Sequence, residues 1–193
     1  VARAKKAVVV EPGGLAASGP GDAGRPDPKR RFYGPYRVGR PSAGVHVDEY
    51  NALAYSAVYG SVRVITSRMM QLTWKAARNL PSGDKDYLAD HPIRRLLQVA
   101  PNPEMTAAKF IETVDHHRLT WGNGFAYIER DARFRIKHLW PVTPERVKLC
   151  RSESLELFYA VRTDDGEWHA VRPMDMLHVR NIGFDGLWGY SQV

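Results

Sequence analysis

The chain carries a single cysteine, Cys150, in 193 residues. No intramolecular disulfide can close, and neither a thiolate metal cluster nor a CxxC redox pair can be assembled, so a reducing compartment is expected. Long apolar runs are missing as well. Nothing approaches the roughly 18 consecutive apolar residues of a membrane span. Val8-Val9-Val10 is too short for a signal-peptide core and runs straight into Pro12-Gly13-Gly14. A soluble chain with no membrane partner is the expectation. There is also no Walker A sequence, no GxGxxG and no GxSxG, which removes the familiar phosphate cradles and the nucleophile elbow. No internal repeat is visible.

What is present is unevenly distributed. The net charge is +7, but residues 1–47 hold nine Lys/Arg against three Asp/Glu, leaving residues 48–193 close to neutral. The same tail takes eight of the 16 glycines and six of the 13 prolines. Such a composition buries too little apolar surface to offset the entropy of ordering. Residues 1–46 are therefore expected to be a disordered basic tail, and 47–193 a single folded domain. Lys29-Arg30-Arg31, with Arg25, Arg37 and Arg40, could screen phosphates in a salt-sensitive, sequence-independent way; a solubilising arm is the plainer alternative. Val1 and Val193 are both expected to be boundaries of a fragment.

From Asp48 the apolar or small residues Tyr50, Leu53, Ala54, Ala57, Val58, Ser61, Val62, Ile65 and Met69 recur with helical spacing. The expectation is one long amphipathic helix with Asp48 and Glu49 in its first turn, where negative charge complements the exposed amides. Leu72, Trp74 and Ala76 then alternate like a strand that ends at Pro81-Ser82-Gly83-Asp84. Asp90 is placed to cap a short helix with Pro92 in its first turn and Ile93, Leu96 and Leu97 turned inward. After the break at Pro101-Asn102-Pro103, Thr106 starts a third helix with Ala107, Phe110, Ile111, Val114 and Trp121 on one face. Gly122-Asn123-Gly124 supplies a left-handed stop.

The remainder reads as strands: Phe125–Arg130, Phe134–Trp140, Val147–Leu149, Leu155–Val161, Trp168–Val171 and Met176–Val179, with turns at Asp131-Ala132 and Asp164-Asp165-Gly166. Helices precede antiparallel-looking strands, so the class is α+β.

Reactive constellations are scarce. Asp115-His116-His117 matches a triplet found in metal-dependent phosphoesterases. On a helix, however, successive side chains diverge by about 100°, and no second acidic cluster completes a two-metal site. His117 is expected at the edge of the apolar stripe and His116 on the opposite face, both structural. His46, His91, His138, His169 and His178 lack HxxxH or HExxH spacing. Asp164-Asp165-Gly166 reads as a hairpin turn, since the downstream oxygen ligands of a calcium loop are missing. Cys150 could be a nucleophile only with a base brought from elsewhere, and a core or surface thiol is expected instead. Trp121, Tyr127, Trp140 and Trp168 fit packing or a subunit interface better than base stacking. Arg94, Arg95, Arg130, Arg133 and Arg135 are interleaved with acids elsewhere and make no extended phosphate-binding face. No catalytic, cofactor-binding or metal residue is assigned, and no enzymatic activity is expected.

Five segments, taken in order, resemble the portal proteins of HK97-like tailed phages over about residues 43–193. Gly44-Val45-His46-Val47-Asp48 leads into Ala52-Leu53-Ala54-Tyr55-Ser56-Ala57-Val58-Tyr59-Gly60-Ser61-Val62-Arg63-Val64-Ile65. His91-Pro92 with Leu96-Leu97 precedes Pro101-Asn102-Pro103 with Met105-Thr106. Then comes Gly122-Asn123-Gly124-Phe125-Ala126, where the family usually shows GNAY or GNAF. Leu139-Trp140-Pro141 and Pro144-Glu145-Arg146-Val147 follow. Met176-Leu177-His178-Val179 and Asp185-Gly186-Leu187-Trp188-Gly189-Tyr190-Ser191 close the set. The departures are Gly124 in place of alanine, Gln192 where proline usually follows the serine, and the end at Val193.

The resemblance implies a wing-like α+β domain, with long and shorter helices packed on antiparallel strands, truncated before the stem, clip and crown. It also implies a structural subunit of the head-tail connector, a ring homo-oligomer of twelve, that nucleates capsid assembly and forms the conduit for genome packaging and ejection. The implied partners are the terminase large subunit, which supplies the ATP hydrolysis, a head-tail adaptor and the major capsid or scaffold protein. Double-stranded DNA would pass through the channel without sequence readout. No cofactor is implied, and the place is the portal vertex of the virion, reached from the host cytoplasm during assembly. The rivals are a nucleic-acid-binding module working through the basic tail and a metal phosphoesterase built on Asp115–His117.

Overall fold

The computed structural model describes the backbone of Phe32 and Tyr33 and residues 49–152, 154–183 and 185–191. The expectations placed on the rest of the 1–46 tail, on the Gly44–Asp48 motif and on Gln192 and Val193 lie outside the described residues. Phe32 and Tyr33 lie within the expected tail. They form a short strand, β1 (Phe32–Tyr33), paired antiparallel with a strand of the folded domain. Two adjacent aromatic residues have high strand propensity, and a sheet edge supplies the backbone partners that a tail alone cannot.

The first helix starts later than its apolar pattern implies. A single 3-10 turn spans Asn51–Ala54, Tyr55 is extended, and α1 runs over Ser56–Met69. Its first turn contains no acidic residue, so Glu49 does not serve the helix dipole, and Asp48 lies outside the described residues. Tyr55 sits at the N-cap and makes no side-chain cap. Only Val62 and Thr66 of α1 are fully buried, while Tyr59, Val64 and Ile65 are largely exposed. The expected stripe is thus only partly covered.

Downstream, the strand expected at Leu72–Ala76 is displaced. The pairing falls at β2 (Ala77–Asn79) and β3 (Lys85–Tyr87), set by the turn in which Leu80 N donates to Asp84 O at 2.9 Å. Gly83 takes the positive φ of 89° there. Both strands are exposed throughout.

The short helix α2 (Ile93–Gln98) has Pro92 at its cap and no side-chain cap, so Asp90 does not do the expected work. Instead His91 Nδ1 accepts from Ile93 N at 3.2 Å. Pro101-Asn102-Pro103 is more than a breaker. Asn102 is buried, donates to Leu139 O at 2.8 Å, and accepts from Glu104 N and Met105 N at 2.9 and 3.1 Å.

The third helix, α3 (Ala107–Trp121), forms as its local signals require. Thr106 caps it by accepting from Lys109 N, and Gly122 ends it in the left-handed conformation, φ 76°. The strands follow: β4 (Asn123–Arg130), β5 (Ile136–Val142), β6 (Val147–Arg151), β7 (Leu157–Arg162), β8 (Trp168–Val171) and β9 (Met176–Arg180). They make a three-stranded sheet in the order β5-β4-β9 and a four-stranded sheet in the order β1-β6-β7-β8, all antiparallel.

Strand β4 is the centre of the molecule. Successive side chains point to opposite faces, so Ala126 joins Leu96, Phe110, Val114 and Leu139 under the helices. Phe125 joins Val147, Leu149, Tyr159, Met176 and Trp188 against the other sheet. Helices, three-stranded sheet and four-stranded sheet therefore stack as three layers of an α+β fold. No helix of the described residues is long and apolar enough to cross a membrane.

Candidate functional site

The best-built polar site lies where α3 turns into β4. Asn123 has no solvent exposure, so every polar atom it carries must find a partner inside the fold. Its amide nitrogen donates to Trp121 O at 3.1 Å and to Gly189 O at 2.9 Å. Its amide oxygen accepts from Gly189 N at 2.8 Å and lies 3.0 Å from His178 Nε2. A backbone N–H can only donate and a carbonyl only accept, so these partners fix which way the amide points. All four of its bonding positions are filled.

His178 extends the network. With Asn123 Oδ1 accepting, Nε2 carries the proton and Nδ1 accepts from the Tyr159 hydroxyl at 3.1 Å. The ring stacks on Phe125 with centroids 4.3 Å apart. Burial first, and the nearby Arg180 second, push its pKa down to about 3. It is a neutral structural imidazole at all ordinary pH values.

Around this centre the segment Asn181–Ser191 is strapped to the corner. Asn181 N donates to Gly122 O at 2.8 Å, and Ser191 Oγ donates to Thr120 O at 2.6 Å. Asp185 Oδ1 accepts from Leu187 N and Trp188 N, which turns buried Trp188 into the core. The approach is close enough to demand glycine. A Cβ on Gly122 would stand 2.2 Å from Tyr190 O, and one on Gly189 would stand 2.1 Å from Gly122 O. The hydrogen bonds of the site join protein groups to one another. What it does is mechanical, locking a helix end, a central strand and a distant segment into one rigid corner.

Elsewhere the residues weighed from sequence are placed as follows. Asp115 is buried and accepts from Arg118 Nε at 2.7 Å. His116 is half-buried, with its ring 6.4 Å from that of Trp121. His117 lies 5.6 Å from Trp121, and burial pushes its pKa down to about 4. Among the described residues no three His, Cys, Asp or Glu gather as a ligand set. Cys150 is buried, which raises its pKa. Asp164-Asp165-Gly166 forms the β7–β8 turn, with Gly166 at φ 88° and Asp164 paired to Arg146.

The aromatic and basic residues divide similarly. Trp140 donates to Glu129 at 2.9 Å and Trp168 lies under Lys148, whereas Tyr127 is 40% exposed. Arg130 is paired to Asp175 and Arg135 to Asp131. Sequence reasoning missed His178, whose partners Asn123 and Tyr159 are 55 and 19 residues away. The one available signal was its place in the Met176–Val179 strand motif.

The family described as phage portal protein matches residues 56–193. The portal protein of Enterobacteria phage HK97 is 26% identical over 103 residues, covering 53% of this chain and 24% of that protein. The fold is similar to a chain of the neck of a native gene transfer agent particle computed with C12 symmetry, with TM-score 0.56 and 16% identity, over 75% of this chain and 38% of that one. It is also similar to a chain of the neck of an empty particle computed with C6 symmetry, with TM-score 0.60 and 19% identity, over 78% and 42%. This chain thus spans about a quarter of the viral relative and about two-fifths of the neck chains. The matched stretch begins at α1 and takes in the Asn123 corner together with the segment strapped to it; the chain belongs to the phage portal protein family.

Proposed function

We propose that this domain is the wing-like part of a structural subunit of the portal ring at the head-tail vertex of a virion. The ring forms the conduit for genome packaging and ejection and nucleates capsid assembly. The observation that carries this is the use made of the signature residues. Gly122, Asn123 and Gly189 spend their conformations and hydrogen bonds on holding Asn181–Ser191 against α3 and β4. A load-transmitting corner suits a ring subunit, whose parts must keep a fixed relation while DNA moves past.

A ring is also what size requires. About 146 folded residues have a radius of gyration of roughly 15 Å, so one domain cannot encircle a duplex. The solved necks of similar fold, computed with C12 and C6 symmetry, agree with a cyclic assembly of about a dozen copies. Its partners are the terminase large subunit, a head-tail adaptor, the major capsid or scaffold protein, and duplex DNA that passes without sequence readout. The subunit itself catalyses nothing.

The second reading, a nucleic-acid-binding module, rests on the surplus of cations in the tail. Removing residues 1–31 takes away seven of its nine Lys/Arg and separates the two. For the complete subunit, the ring reading expects native mass spectrometry to give the same closed oligomer with and without these residues. Loss of DNA retention on a filter, with no oligomer in either sample, is the outcome that favours the binding module.

A further inference from the structure

Strand β1 joins the four-stranded sheet from far away in sequence, through two described residue pairs. Phe32 pairs with Cys150 and Tyr33 with Leu149. Strand β6 extends over Val147–Arg151, and its described pairs with β1 fall at Leu149 and Cys150. The edge of a sheet accepts an added strand through its backbone groups. Cys150 adds a second observation. Val147 and Leu149 belong to the core cluster, and alternation assigns Cys150 to the other face, yet it is only 3% exposed. Cys150 is thus enclosed at the place where β1 pairs.

Two residue pairs do not by themselves fix which copy of the chain supplies the strand. Even a whole isolated hairpin is marginal in water. Fifteen residues separate Tyr33 from Glu49, and when extended they reach up to about 50 Å. A domain with a radius of gyration of roughly 15 Å is smaller than that reach. The contacts are identical whether the strand comes from the same chain or the next, so proximity decides. In a head-to-tail ring every subunit offers one arm and presents one β6 edge. Exchange around the ring therefore leaves no arm unused and adds a tie across every interface.

We propose that in the assembled particle Phe32–Tyr33 of each subunit pairs with the β6 edge of a neighbouring copy. The proposal rests on the ring function put forward above, and the two fail separately.

Position 32 stands opposite the chain's only cysteine. Directly opposed residues of an antiparallel pair have Cα atoms about 4.5–5.5 Å apart, which is within disulfide range. The test uses the complete subunit carrying Phe32→Cys, with any cysteine elsewhere in it changed to serine. Native mass spectrometry first establishes whether rings form, and mild oxidation follows. Exchange predicts a ladder of covalent dimers, trimers and larger species on a non-reducing gel, lost on reduction. Rings that give only an intrachain 32–150 disulfide, or no 32–150 link at all, overturn the exchange and leave the ring function intact. Subunits that fold but never form rings overturn both. Rings co-assembled from a Phe32→Cys/Cys150→Ser chain and a wild-type chain supply the second measurement. Each chain then holds one of the two thiols, so a 32–150 link arises only between copies, and its absence contradicts the exchange.

Discussion

At the scale of single residues, the account turns on atoms that have no substitute. Replacing Asn123 with alanine leaves Gly189 N, Gly189 O, Trp121 O and His178 Nε2 to find new partners in a dry interior. The expected cost is about 3 kcal/mol or more, read by urea denaturation of the domain. Gly124 gives a second prediction. A Cβ there would meet Val114 O at 2.4 Å and Val114 Cγ1 at 2.9 Å, so this chain seats α3 closer to β4 than the alanine usual in the family pattern would allow. Gly124→Ala should destabilise by about 1–3 kcal/mol; an unchanged denaturation midpoint would mean that the helix is free to shift.

His178 makes the domain acid-sensitive. It binds a proton near pH 6.5 when unfolded and near pH 3 when folded. Between those values the unfolded state holds the extra proton. Its contribution to stability is therefore complete above about pH 6.5 and declines as pH falls toward 3, by about 1.4 kcal/mol per pH unit. His117, with a folded value of about 4, acts in the same direction. Between pH 7 and 5, where few carboxylates titrate, His178→Gln should show a smaller loss of unfolding free energy than wild type. The glycine stop and the asparagine were legible in sequence as a motif. Their bonds were not, because Gly189 lies 66 residues from Asn123 and spacing along the chain says nothing about such closures.

At the scale of elements, legibility followed the locality of the signal. The bounds of α3 could be read from Thr106 and Gly122 because a cap and a left-handed stop act within a turn or two. Thr106→Ala should cost about 1 kcal/mol, measured by thermal or urea unfolding. The start of α1 was misread because apolar spacing continued through a 3-10 turn and the extended Tyr55, where no side chain caps the helix. The β2 strand was misplaced because an alternating run with neither face covered does not define its own register; the turn at Leu80–Asp84 does.

Helix α1 also carries a prediction about assembly. Val64 is 63% exposed and Ile65 is 43% exposed on a helix with only Arg63 and Arg68 as charges. Val64→Glu should leave the stability of the isolated domain within about 0.5 kcal/mol of wild type. If this face is a subunit contact, native mass spectrometry of the complete subunit should show a reduced ring fraction; an unaltered ring would place the contact elsewhere.

At the scale of the whole molecule, the α+β class was legible from helices preceding strands, and most strands fell close to their expected places. The partition into two sheets was not, since β4 pairs with β9 as well as with its neighbour β5, and such pairing is decided by the core rather than by local pattern. Strand β4 then serves both layers, and the Asn123 corner ties its start to the segment ending at Ser191. The most direct measurement is electron microscopy of the complete subunit. The account predicts annular particles of about a dozen copies, with a central hole wide enough for duplex DNA and with this three-layer fold in each subunit. Well-folded material that remains monomeric or dimeric at every concentration tested would contradict it.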